Sequence, residues 1–256
     1  MDTMKQALLE GLRELDIPLP EATADTLCAF AQAMLRQNQV MNLTAITEPS
    51  AVARLHLLDS LTVIKALEPG RKTLIDVGCG AGFPGVPLAA ACKGLKVTLL
   101  DSLGKRVNWL AETLPSLGIG AECVNARAED FAAERRERYD YAASRAVARL
   151  NILLELTAPF VKVGGAVLAL KGAAAEEELE EAAGAIRKLG LKPERVLEFP
   201  IEDTHHCLVV LRKTAPTPKQ YPRRYAKIKQ SPLEELTIQS GGSHQRTDKL
   251  MFRIDN

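Results

Sequence analysis

A strand-like run ending at Val77 leads directly into three glycines at alternate positions, Gly78, Gly80 and Gly82, followed by Pro84, Gly85 and Pro87. Glycines so spaced let the backbone bend sharply and approach a ligand, because a side chain pointing into the turn would fill that space. The prolines suit the first turn of a helix, whose free amides would face the same crevice. In an open parallel sheet, ligands bind beyond the carboxyl ends of the strands, where the strand order reverses. The rest of the chain fits such a sheet. Aliphatic runs at 73–77, 96–101, 121–125, 139–144, 161–170, 195–199 and 207–211 alternate with helical periodicity at 86–92, 105–117, 150–159 and 174–189. This alternation predicts right-handed crossovers and a doubly wound, mainly parallel α/β (Rossmann-like) domain over residues 71–213.

Residues 1–70 read differently. Leu8, Leu9, Leu12 and Leu15, then Leu27, Phe30, Ala31, Met34 and Leu35, recur at helical spacing, with Pro18, Pro20 and Pro49 as breaks. An N-terminal helical cap is expected. Residues 214–256 begin as a proline-bearing basic tail, expected to form neither a packed helix nor an interior strand, and end in a polar stretch from Gln239 expected to be disordered. Lys plus Arg number 33 against 32 Asp plus Glu, so affinity for a polyanion must come from local patches. The five cysteines are scattered without a C-x-x-C pair, which argues for reduced thiols in a cytoplasmic protein and against a zinc framework. No apolar run approaches the roughly 18 residues of a membrane span, and no secretory leader is expected.

The turn describes a nucleoside site. Asp101 closes the next strand, where a carboxylate can accept both hydrogen bonds of a ribose diol. The run Gly80-Ala81-Gly82-Phe83-Pro84-Gly85 also satisfies the dinucleotide pattern G-x-G-x-x-G, which alone is weak. Asp76, two residues before the first glycine, would place a carboxylate in the crevice, repelling a pyrophosphate and suiting a ligand with an amino group. The dinucleotide match also starts three residues after the strand rather than immediately. Both features favour S-adenosylmethionine over NAD. Cys79 reads as a small turn residue rather than a nucleophile.

The segment Asp76-Val77-Gly78-Cys79-Gly80-Ala81-Gly82-Phe83-Pro84-Gly85-Val86-Pro87-Leu88-Ala89 closely resembles the cofactor loop of the bacterial small-subunit ribosomal RNA methyltransferase G family, also called glucose-inhibited division protein B. Upstream, Asn42-Leu43-Thr44-Ala45-Ile46 and His56-Leu57-Leu58-Asp59-Ser60-Leu61 resemble the family's cap. Downstream follow Asp101-Ser102-Leu103-Gly104-Lys105-Arg106, Arg127-Ala128-Glu129, Ser144-Arg145-Ala146-Val147, Lys171-Gly172 and Tyr221-Pro222-Arg223-Arg224. The resemblance covers roughly residues 30 to 233. It implies a class I S-adenosylmethionine-dependent methyltransferase acting on N7 of one guanine in 16S rRNA, on the small ribosomal subunit or an assembly intermediate. By motif, Gly78 and Phe83 would line the cofactor, Asp101 and Ser102 would hold its ribose, Ala128 and Glu129 would border the adenine, and Arg145 would close the site near the methyl donor. The expected cofactor set is completed by Asp76, Gly80, Gly82 and Leu103. Cys79 stands where the family often has serine or threonine, and the tail after Leu233 matches no family pattern.

The residues themselves also narrow the acceptor. After the fourth strand, where amino-group methyltransferases carry an Asn/Asp-Pro-Pro-aromatic turn, this chain has Ser144-Arg145-Ala146-Val147. No cysteine lies in the Pro-Cys or Thr-Cys context that carbon-5 methylation of a pyrimidine needs. Guanine N7 has a bare lone pair and needs no general base, only alignment. Arg145 is expected on the cofactor carboxylate or an RNA phosphate. Arg145, Lys171, Arg223, Arg224 and Lys227 form the expected RNA contacts, with Tyr221 and Tyr225 available for stacking; the rival readings are a surface ion pair for Arg145 and a solvated charge run for the tail. His56 and Asp59, three apart on a helix, either face the cleft or form a capping or packing pair. His205-His206 lacks partners at metal-ligand spacing and reads as a strand edge. A monomer is expected. Two rival functions remain at this level: a nicotinamide-dependent oxidoreductase, although Tyr139 and Tyr141 lack a lysine four residues on, and a non-catalytic RNA-binding regulator of the same fold.

Overall fold

A computed structural model of the chain describes residues 2–202 and 204–233; the disorder expected near the C-terminus lies outside the described residues. Seven strands, β1 (Lys72–Val77), β2 (Leu95–Asp101), β3 (Glu122–Asn125), β4 (Tyr139–Arg145), β5 (Val161–Lys171), β6 (Leu191–Ile201) and β7 (Thr204–Lys213), form one sheet in the order β3-β2-β1-β4-β5-β7-β6. The first five run parallel, while β7 pairs antiparallel with both β5 and β6. The order reverses between β1 and β4, which places the switch point at the carboxyl ends of those two strands. Strands β6 and β7 are longer than their aliphatic runs predict. In β6, exposed and half-exposed residues separate the buried Leu191, Val196 and Ile201, so only its middle reads as apolar.

The N-terminal helices are α1 (Asp2–Glu14), α2 (Glu21–Met41) and α3 (Pro49–Val52), the last continuing through a π-helical turn (Ala53–Leu58) into α4 (Asp59–Leu61). Between the strands lie α5 (Gly85–Ala91), α6 (Gly104–Thr113), α7 (Ala128–Arg135), α8 (Leu150–Thr157), α9 (Ala175–Glu181) and α10 (Ala183–Lys188). Helix α7 has little apolar periodicity and buries only Phe131 and Ala132, which is why no helix is read there from sequence. The single helix expected at 174–189 is broken into two at Ala182.

Successive strand residues feed opposite faces of the sheet. Leu74, Leu99, Tyr141 and Leu168 share a core with Leu8 and Leu12 of α1 and Leu27, Phe30 and Met34 of α2. Ile75, Val77, Ala142 and Val167 pack on the other side with α7–α10. The helical cap is therefore one of the two layers that cover the sheet. Its central contact is Phe30, whose ring lies 5.7 Å from Phe83 and 6.1 Å from Trp109, so the cap rests directly on the glycine-rich turn.

The tail departs from expectation. Tyr225–Gln230 forms a short helix, α11, and its Ile228 is fully buried against the second face. No proline falls between Pro222 and Pro232, which leaves Tyr225–Gln230 free to turn helical, and one isoleucine among cations provides the apolar anchor.

Phe30→Ala should destabilise the protein by about 3–5 kcal/mol, through a cavity beneath Phe83 and Trp109. Urea unfolding monitored by Trp109 fluorescence measures it; a loss under about 1 kcal/mol would mean that the cap is not anchored there.

Candidate functional site at the sheet switch point

A cavity of about 530 Å³ opens at the carboxyl ends of β1, β2 and β4. Its floor is the glycine turn. Gly78 has φ of 75° and faces Val147 so closely that a Cβ would lie 2.5 Å from a valine methyl. Gly80 has φ of 54°, another left-handed conformation, and lies open to the cavity beside Arg106. Gly82 serves differently: a Cβ there would meet Val86, Leu110 and Phe30, so it admits the cap rather than a ligand.

At the end of β2, Asp101 accepts the Gly80 N–H at 2.9 Å on one oxygen and the Leu103 N–H at 2.8 Å on the other. Each oxygen keeps a lone pair, and the carboxylate borders the cavity with Ser102. Leu103 contributes this amide, while its side chain is exposed and off the cavity wall. Ala128 and Glu129, opening α7, form the adjoining wall with Ala126 and Arg127. Tyr225 reaches the cavity from the tail, its amide held 3.2 Å from Glu129.

Asp76 corrects the sequence reading. Its carboxyl does not face the crevice but lies fully buried beneath the turn, accepting the Gly85 N–H at 2.7 Å. Its other oxygen finds no partner among the described residues. Burial pushes its pKa up to about 7, against the opposing effects of the Gly85 amide and Arg145, so near neutrality it is partly protonated. Repulsion of a pyrophosphate by an open carboxylate is therefore not what this residue supplies; it braces the turn. Cys79, buried with a thiol pushed well above its usual range by burial, remains a turn residue.

The opposite wall comes from the cap, and its order depends on Arg145 at the end of β4. Nη1 donates to the Leu55 carbonyl at 2.8 Å and to Asp59 at 3.0 Å, Nη2 donates to His56 Nδ1 at 3.0 Å, and the guanidinium lies 5.1 Å over the Phe83 ring. Three of its acceptor contacts thus come from the π-helical turn and α4, a local geometry that periodicity in the sequence does not reveal. The fork expected on a cofactor carboxylate or phosphate is largely engaged within the protein. Ala146, next along, holds φ of 54°, uncommon for a residue with a Cβ, where the chain turns across the cavity.

His56 and Asp59 resolve into distinct roles. The imidazole lines the cavity, stacked 4.9 Å from Phe83, with burial and Arg145 lowering its pKa to about 4. Asp59 is buried and also accepts from His206 Nδ1 at 2.8 Å. The described residues contain no cluster of potential metal ligands, and His206 serves that carboxylate.

The expected RNA cations divide. Lys171 is nearly buried, bound to Glu178 at 2.7 Å and to the Ala148 carbonyl, and Arg223 grips the fully buried Glu155 through Nε and Nη2. Neither presents a free charge. Arg224 is exposed with a surface contact to Asp130, and Lys227 is exposed. Arg106 and Arg127 line the cavity with no acidic partner among the described residues, and no role for them is legible from motif position alone.

Two outcomes follow. Between pH 4 and 6.5, unfolding lets His56 take up a proton while Asp76 releases one, so their contributions to the pH dependence oppose each other. In Asp76→Asn only His56 remains, and stability should fall as pH drops through this window by up to about 3 kcal/mol more than in the wild type. Matching acid-unfolding profiles would contradict the burial argument. Arg223→Ala strands Glu155 in the core and should cost about 3–5 kcal/mol in chemical denaturation. A stable variant would place Arg223 outside the structural framework.

The family profile for rRNA small subunit methyltransferase G matches residues 23–207. The chain is 43% identical over 237 residues to "Ribosomal RNA small subunit methyltransferase G" of Alkaliphilus oremlandii, covering 90% of this chain and 99% of that one. It is 45% identical over 233 residues to the protein of the same name in Clostridium botulinum strain Loch Maree, covering 89% and 98%. Among solved structures, the [4+2]-cyclase SpnF matches with a TM-score of 0.54 at 15% identity, over 79% of this chain and 99% of that one. A putative methyltransferase from Bacillus halodurans matches with 0.51 at 14% identity, over 61% and 99%. These two likenesses concern the fold.

Proposed function

The chain belongs to the family of rRNA small subunit methyltransferase G, and from that premise we propose that it moves the methyl group of S-adenosylmethionine to N7 of a guanine in 16S rRNA. The observation that carries this reading is the pairing, in one cavity, of a glycine floor and the Asp101 carboxylate with a cap wall whose imidazole, His56, is engaged at both ring nitrogens. The residues fit the cofactor: Gly80 leaves the floor open to the cavity at a left-handed φ, and Asp101 retains one lone pair per oxygen for a ribose diol. In this reading Ser102 adjoins the ribose and Ala128 and Glu129 border the adenine. Asp76 acts from below by holding the helix entrance.

S-adenosylmethionine supplies an activated methyl on a sulfonium. The protein's task is to hold N7 in line with it, and for an acceptor with no proton to lose, alignment replaces acid–base chemistry. His56 suits that economy, since both ring nitrogens are engaged and its low pKa keeps it neutral. The neutral ring adds no charge against a base that becomes cationic. Arg106 and Arg127 at the cavity, with Arg224 and Lys227 on the tail, are among the cations with access to RNA phosphates. Nothing favours a nicotinamide site or a regulator without activity. Among the described residues no helix is long and apolar enough to cross a membrane.

Incubation with methyl-labelled S-adenosylmethionine should label 16S rRNA in naked or subunit form and leave tRNA unlabelled, with chain scission at one 7-methylguanosine after borohydride and aniline. Label elsewhere, or none, would sink the proposal. Asp101→Ala should weaken cofactor binding about tenfold or more by calorimetry.

A further inference from the structure

The loop before the π-helical turn carries a hydroxyl with an unusual restriction. Every polar group of Thr44 except its hydroxyl hydrogen is engaged. Its N–H donates to Asn38 Oδ1 at 2.9 Å and its carbonyl accepts from Asn38 Nδ2 at 2.9 Å, so the main chain is clamped to α2. Its Oγ1 accepts the Ile46 N–H at 3.0 Å and lies 2.7 Å from His56 Nε2.

The direction of that last bond follows from Arg145. A guanidinium can only donate, so His56 Nδ1, 3.0 Å from Nη2, must be the acceptor nitrogen of a neutral ring. The ring hydrogen then sits on Nε2 and is donated to Thr44. A hydroxyl has two lone pairs and one hydrogen. Ile46 and His56 occupy both lone pairs, and the hydrogen has no acceptor among the described residues, although Thr44 borders the cavity. A threonine hydroxyl ordinarily donates or accepts as its partner requires; this one can only donate.

We propose that Thr44 is a specificity-determining residue, donating its hydroxyl hydrogen to O6 of the purine whose N7 faces the methyl donor. The inference rests on the function proposed above and adds how the base is chosen. Guanine presents two adjacent acceptors on this edge, N7 and O6, whereas a 6-aminopurine presents N7 beside an N–H donor. A hydroxyl able to switch roles would tolerate either. A donor-only hydroxyl accepts the keto base and leaves two donors facing each other with the amino base, a mismatch that selective sites exploit. Thr44 borders the cavity beside His56, whose ring stacks on Phe83, and is hydrogen-bonded to neither Asp101 nor Ser102, so its hydroxyl is assigned to the substrate base rather than to the ribose.

The test uses the full chain and reconstituted small subunits whose rRNA carries guanine or 2,6-diaminopurine at the methylated position, two bases that share N7 and the 2-amino group. The wild type should prefer guanine by about a hundredfold in kcat/KM. Thr44→Val should lose about tenfold on guanine with unchanged S-adenosylmethionine affinity, and Thr44→Ser should restore most of it. His56→Phe frees a lone pair on Thr44 and should narrow the preference by raising the rate on 2,6-diaminopurine relative to guanine. Undiminished preference in Thr44→Val would overturn the inference, and so would a loss confined to cofactor affinity, which would give the hydroxyl to the cofactor. Absence of transfer to guanine by the wild type would instead bring down the function on which it rests.

Discussion

Arg145 stands at the end of a central strand and holds the cap in place from the sheet side. Its guanidinium reaches a carbonyl, a carboxylate and an imidazole within one stretch of the cap, residues 55–59, and covers Phe83 of the glycine turn. Asp59, which accepts from it, is buried and also held by His206 of β7. A carboxylate so placed is tolerable only with its donors present, so the two strands and the cap turn depend on one another. The opposite wall of the cavity inherits its shape from this junction. Phe83 has a double part, packing on Phe30 beneath and on His56 at the wall.

Three polar groups at or beneath the cavity are committed to position rather than to proton transfer. His56 is neutral and engaged at both nitrogens, Cys79 is held as a thiol by burial, and Asp76 lies beneath the turn with one oxygen on the start of α5. Such a site would be poor at removing a proton from a substrate. It is well matched to an acceptor whose lone pair is already free, where the rate comes from orientation and from the exclusion of unproductive geometries. The same commitment gives Thr44 its one-way hydrogen bond.

The cations divide along similar lines. Lys171 and Arg223 neutralise buried or nearly buried glutamates, and Lys213, itself buried at the end of β7, donates to the Ala158 and Val161 carbonyls. Burial lowers Lys213 to about 8, a sign of how little solvent reaches it. Arg106, Arg127 and Lys227 have no such obligations among the described residues, and an RNA backbone is the kind of ligand that would use them. Basic residues close in sequence thus serve opposite purposes, stability at Arg223 and exposure at Lys227.

Much was legible in one dimension because it depends on local chemistry. Alternate glycines, aliphatic runs and helical periodicity are properties of neighbouring residues, and they specify a strand, a turn and a helix wherever the chain goes. The parallel sheet, the cap, the glycine floor and Asp101 therefore follow from sequence, and motif order carries the family. What required the tertiary structure is whatever depends on a partner remote along the chain. Asp76 lies under the turn because Gly85 folds back over it; Arg223 is structural because Glu155 comes from α8; the tail makes a helix because a core receives Ile228. His56 and Asp59, ambiguous as a pair three apart, acquire separate duties only when Arg145 arrives from 86 or more positions away. Charge and hydrogen-bonding capacity are written in the residue, but whether they are free is decided by what the fold sets against them.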